Sequence, residues 1–189
     1  MTLRRCWSHP LIPGLLLLLT ALARPWLEAS MARHMALELP ALFIVGWLSA
    51  RHLRPAAGTP FCAWNQEGIP ALLLASLITL FWMIPLALDA AVLDPAVAVL
   101  KVCSVIAAGL LAGWCWPRLH LIVQALFLFN WTAMNLLIGI LYIGAPQQLC
   151  STYLADDQLW AGRGLITWSM VAMGGWIGWW VFQLRRRLR

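Results

Sequence analysis

The feature that most constrains this chain is a row of apolar segments, each close to the length that crosses a bilayer, with only short turn-rich breaks between them. A helix needs about 20 mainly apolar residues to cross about 30 Å of hydrocarbon. Six segments reach or approach that length: roughly 9–25, 30–50, 69–88, 95–116, 119–144 and 162–184. Between them lie "RHLRPAAGTPFCAWNQEGIP", "LDAAVLDP", "WPR" and "APQQLCSTYLADDQ", all marked by Pro, Gly, Asn or Asp. Lipid supplies no hydrogen bonds to a backbone, so the segments are expected to be helices. The expected fold is therefore all-α, a polytopic bundle of about six transmembrane helices forming one integral domain over residues 1–189.

Composition excludes the main alternative. Charged residues make up 11% of the chain, against about 25% in an ordinary soluble domain, and no polar stretch is long enough to bury a catalytic core of its own. The thirteen Trp suit membrane interfaces. The bilayer is the first expected partner, and no nucleic-acid partner is expected. The start, "MTLRRCWSHPLIPGLLLLLTALARPW", has the charged head and apolar run of a signal peptide, but Pro25 follows a candidate A-x-A site at once. It reads as a retained first helix. Cys6, Cys62, Cys103, Cys115 and Cys150 are scattered without a C-x-x-C pair, so they suggest neither a disulfide framework nor a structural zinc site.

The arginines set the orientation. With both termini cytoplasmic, Arg4, Arg5, Arg51, Arg54, Arg118, Arg185, Arg186, Arg187 and Arg189 fall inside, and only Arg24, Arg33, Arg163 and Lys101 lie outward. Glu28, Glu38, Asp89, Asp94, Asp156 and Asp157 then collect at or near the outer side, with Glu67 alone inside. Such a face can gather cations, or it can simply solvate the ends of loops.

The second span carries the most informative side chains. From Pro40 to Ala50 a helix rises only about 15 Å, so the crossing has to begin near residue 30. That places "MARHMALE" in the membrane, with Met31, His34, Met35 and Glu38 at i, i+3, i+4 and i+7 on one face. Thioether and imidazole suit Cu(I), and an intramembrane carboxylate needs a partner or a role. Pro40 removes the amide that would bond the Ala36 carbonyl, leaving a kink and a free acceptor beside Glu38. The competing interpretation keeps the methionines as packing and His34 as an interfacial hydrogen-bonding group. Elsewhere His120, Gln124, Asn130 and Asn135 are expected to bond between helices. Lys101, about two turns into its span, is expected to snorkel toward Asp89 or Asp94. The 145–163 loop is expected to fold back on the bundle, with Asp156 or Asp157 at the start of the last helix.

Four stretches together resemble the CtaG-type membrane proteins associated with copper handling and cytochrome c oxidase assembly: "MARHMALELPAL", "FWMIPLALDAAVLDPAV", "AAGLLAGWCWP" and "YLADDQLWAGRGLITW". His34 and Met35 match that family's His-Met pair. Trp82, Pro85, Asp89 and Pro95 match a Trp-x-x-Pro block ending in an Asp-Pro turn, and Asp157, Gln158, Ala161, Gly162 and Trp168 match the opening of a late helix. The resemblance runs from about residue 30 to 170. Glu38 stands where the family has a further His, and Ala98 and Val102 stand where it has a His-x-x-x-His pair.

The resemblance implies a copper-handling or oxidase-assembly factor in the bacterial inner (cytoplasmic) membrane, holding or passing Cu(I) at the periplasmic face. Its partners would be respiratory oxidase subunits or a copper chaperone. Met31, His34, Met35 and Glu38 would form the metal face, supported by Asp89, Asp94, Asp156, Asp157 and Gln158. The alternative is a non-catalytic accessory subunit of the same kind of complex that has lost its metal. Haem is not expected, because His34 alone of His9, His34, His52 and His120 is placed outward. No nucleophile-base pair, phosphate loop or metalloprotease signature points to an enzyme.

Overall fold

The computed structural model describes residues 9–53, 55, 59–145, 147, 149, 153 and 155–187. Arg4, Arg5, Arg54, Arg189, Cys6 and Cys150, which entered the charge and cysteine arguments, lie outside the described residues. Among the described residues all regular structure is helical. Four helices among the described residues are long and apolar enough to cross a membrane: Met31–Ser49, the stretch Pro95–Arg118, Leu121–Gly144 and Asp156–Arg186. Ile69–Phe81 and Pro85–Leu93 would make a fifth crossing if the two are taken as one bent span.

The first apolar run gives α1 (Leu11–Leu22), which has 12 residues and so extends only about 18 Å. The expected 9–25 span is thus shorter in the structure. Ala23 closes α1, and Arg24–Leu27 forms a separate turn with Pro25 near its start. The second run gives α2 (Met31–Ser49), whose residues His34–Glu38 widen into a π turn. The third run was expected to be one helix over 69–88. It is two: α3 (Ile69–Phe81) and α4 (Pro85–Leu93), bent by 75°. Pro85 is the physical cause, since its ring blocks a continuing helix and pushes Ile84 into an extended conformation (φ −76°, ψ 126°).

The remaining helices follow the apolar runs closely. α5 (Pro95–Cys115) begins at Asp94, whose Oδ1 accepts from the Ala96 amide at 2.7 Å, an N-cap followed by Pro at the first helical position. A single 3₁₀ turn at Trp116–Arg118 leads to α6 (Leu121–Gly144). α7 (Ala155–Arg187) starts seven residues before the expected 162, with Asp156 and Asp157 in its first turn.

Small residues let the helices approach closely. A Cβ on Gly109 of α5 would stand 2.0 Å from the Phe43 carbonyl oxygen of α2, and one on Gly46 would stand 2.0 Å from the Ile106 oxygen. Backbone contact of this kind is how helices associate where lipid offers no hydrophobic drive. α6 and α7 meet in the same way at Gly139 and Gly162. α3 and α4 pack on α5, α1 on α2, and the start of α2 on α7. The main core gathers Met31, Met35, Leu42, Trp82, Leu88, Tyr142 and Leu165. Large apolar side chains also cover the outside, among them Leu73, Leu86, Leu137 and Val171, as suits contact with hydrocarbon.

Candidate functional site

The beginning of α2 is shaped by Pro40. With no amide at 40, the Ala36 carbonyl has no α-helical donor, and the helix widens so that the Leu39 amide bonds His34 O, five residues back. The indole N–H of Trp168 donates to Ala36 O at 2.6 Å. The expected free acceptor is therefore taken up by α7. π turns of this kind often mark functional sites, and this one holds His34 and Glu38 inside the bundle at 0% and 3% exposure.

Lys101 of α5 enters the same space. It is fully buried, and its Nζ lies 2.8 Å from Glu38 Oε1, 2.9 Å from Glu28 Oε1 and 2.9 Å from His34 Nε2. An ammonium has three hydrogens and here meets three acceptors. That geometry assigns His34 Nε2 as the acceptor and Nδ1–H as the donor to the Tyr153 hydroxyl at 2.8 Å. Arg24 Nε donates to the second oxygen of Glu28 at 3.0 Å. Two cations and two carboxylates thus balance in one cluster, the arrangement that makes buried charge tolerable. Glu38 Oε2 alone of its carboxylate oxygens accepts no hydrogen bond, although it lies 3.5 Å from His34 Nε2.

The last helix closes the cluster from the side. Ser30 Oγ donates to Asp157 Oδ1 at 3.0 Å. Gln158 Nε2 donates to Tyr142 O at 3.1 Å and its Oε1 accepts from the Leu149 amide at 2.8 Å, which ties Leu149 and the end of α6 to α7. Of the expected 145–163 loop, the described residues Leu149 and Tyr153 bond to Gln158 and His34, and residues from 155 onward belong to α7.

The four residues of the expected metal face lie along one stretch of α2, all of them buried. His34 and Glu38 join the charged cluster, whereas Met31 and Met35 pack in the apolar core. Met35 also lines an apolar cavity of about 330 Å³ with Leu39, Trp82, Trp131 and Leu165. Asp94 serves as a helix cap, Asp89 is buried on α4, and Asp156 is exposed. Lys101 pairs with Glu28 and Glu38 rather than by snorkelling to Asp89 or Asp94. From the sequence, Glu28 looks like a loop-end charge and Tyr153 carries no mark of a site residue. A lysine inside an apolar span is the available signal for Glu28, since it must find acids within its own reach; nothing in the sequence signals Tyr153.

The acceptor atoms of Glu28, His34 and Glu38 lie within 4.8 Å of one another, close enough to hold a metal ion. Two carboxylates and one imidazole are hard to borderline donors, whereas Cu(I) prefers sulfur. The converging set does not fit Cu(I), and its centre faces the Lys101 ammonium.

The fold and the site define a class: an all-helical chain with several helices fit to cross a membrane and a charge-balanced cluster buried at one end. A family model described as "Protein of unknown function (DUF1404)" matches residues 18–156, and the chain belongs to that family. No curated protein and no solved structure matches it.

Proposed function

We propose that the chain is a non-enzymatic accessory subunit of a respiratory, cytochrome-oxidase-type complex, and that its charged end braces the bundle instead of carrying copper. The observation that supports this is Lys101, whose ammonium already supplies the positive charge among Glu28, His34 and Glu38. An internal cation leaves no charge for a resident metal to neutralise. The class of partner rests on the resemblance to CtaG-type proteins alone. In this reading α1 and the bent α3–α4 pair each make one crossing, giving six in the bacterial inner membrane with both termini cytoplasmic. Arg51, Arg118, Arg185 and Arg186 then lie inside, and the cluster with Asp94, Asp156 and Asp157 faces outward.

A second reading has one observation in its favour. The convergence of Glu28, His34 and Glu38 is what a copper-handling assembly factor that passes a cation to oxidase subunits would need. It requires Lys101 to withdraw and softer donors to be recruited. Purification in mild detergent separates the two. The accessory reading expects a stable complex without copper in this subunit; about one copper per chain, lost in His34→Ala, would establish the assembly factor in its place.

A further inference from the structure

We infer that Glu28, His34 and Glu38 form a divalent-cation site of borderline-to-hard preference, and that Lys101 is its tethered occupant. The inference extends the accessory reading by stating what the brace replaces. Three features carry it. The ammonium nitrogen contacts one ligand-type atom of each of the three converging residues, Glu28 Oε1, His34 Nε2 and Glu38 Oε1, at 2.8 to 2.9 Å. Two of the three ligands are held from behind, as metal ligands commonly are: Arg24 takes the far oxygen of Glu28, and the Tyr153 hydroxyl takes Nδ1 of His34. Glu38, at 3% exposure, keeps Oε2 without a hydrogen bond, an acceptor left over in a site that a single ammonium cannot satisfy. A divalent ion carries twice the charge and can take both oxygens of one carboxylate. One imidazole and two carboxylates with a fourth position open is a donor set that Zn²⁺ accepts, and Mn²⁺ tolerates it with added water.

The test is titration of detergent-purified wild type and Lys101→Met with Zn²⁺ and Mn²⁺, read by calorimetry. Lys101→Met should bind one Zn²⁺ per chain at least about tenfold more tightly than wild type, because the competing charge is gone. Adding Glu38→Gln or His34→Ala to that variant should abolish the gain. If Lys101→Met is poorly folded without metal, its thermal unfolding is compared with Zn²⁺ and with chelator, and stabilisation by Zn²⁺ alone is expected. Affinity no higher than wild type, binding that survives the added substitutions, or no stabilisation by Zn²⁺ would overturn the inference. None of those results touches the accessory reading, which falls if wild type purifies without a partner complex or carries copper.

Discussion

The Trp168 indole N–H and the Ala36 carbonyl, 2.6 Å apart, join α7 to the point inside α2 where Pro40 leaves the carbonyl without its α-helical donor. Pro40 creates the vacancy, the π turn redistributes it, and the indole fills it. The bond therefore fixes the register of α7 against the segment that carries His34 and Glu38. Trp168→Phe keeps most of the packing and removes the donor. It should lower stability by about 1–3 kcal/mol, the cost of an unsatisfied buried acceptor, measured by unfolding in mixed micelles. No loss would mean that the acceptor finds another donor and that α7 is not pinned there.

Close contact between α2 and α5 makes a second expectation. Gly109→Ala places a carbon 2.0 Å from the Phe43 oxygen, a separation that atoms do not sustain, so the helices must move apart. The cost should be about 1–3 kcal/mol, in the range of core overpacking. Gly174→Ala on α7 meets nothing within 4 Å and should be neutral or stabilising by up to about 1 kcal/mol. Equal effects at the two sites would show that the α2–α5 approach is looser than described.

Much of this architecture was legible because hydropathy and length speak directly about bilayer-spanning helices. Met31–Ser49, Pro95–Cys115 and Leu121–Gly144 stand close to where the apolar runs put them. The bend between Phe81 and Pro85 is not legible in hydropathy, because an apolar run looks the same whether straight or broken. The cluster was half legible. A single helix face gave His34 and Glu38, but Lys101 stands 63 residues from Glu38 and 73 from Glu28 in sequence, and only the packing of α2 on α5 brings them together. Met31 and Met35 are buried in the main core beside the same stretch.

Orientation yields a third expectation. A reporter fused after the last residue should be active in the cytoplasm, and one inserted between Gln147 and Leu149 should be active outside, because Arg118, Arg185 and Arg186 flank the opposite ends of α6 and α7 from Asp156. The inverse pattern would turn the charged cluster inward and remove its access to an outer partner.

The last expectation concerns the coupling of Lys101 and Glu38. Lys101→Met leaves two buried or half-buried carboxylates without their shared cation and should cost about 3–5 kcal/mol. Glu38→Gln removes one carboxylate while Lys101 keeps Glu28 at 2.9 Å, so it should cost less, about 1–3 kcal/mol. If the two residues act within one network, the double variant loses little more than Lys101→Met alone, since the charge that made the first substitution costly is partly gone. The sum of the single effects should then exceed the double effect by about 1 kcal/mol or more. Unfolding of all four proteins in the same mixed micelles gives this difference. Additivity within about 0.5 kcal/mol would mean that Lys101 is held mainly by Glu28 near the edge of the bundle, and that Glu38 is not the inner anchor of the brace.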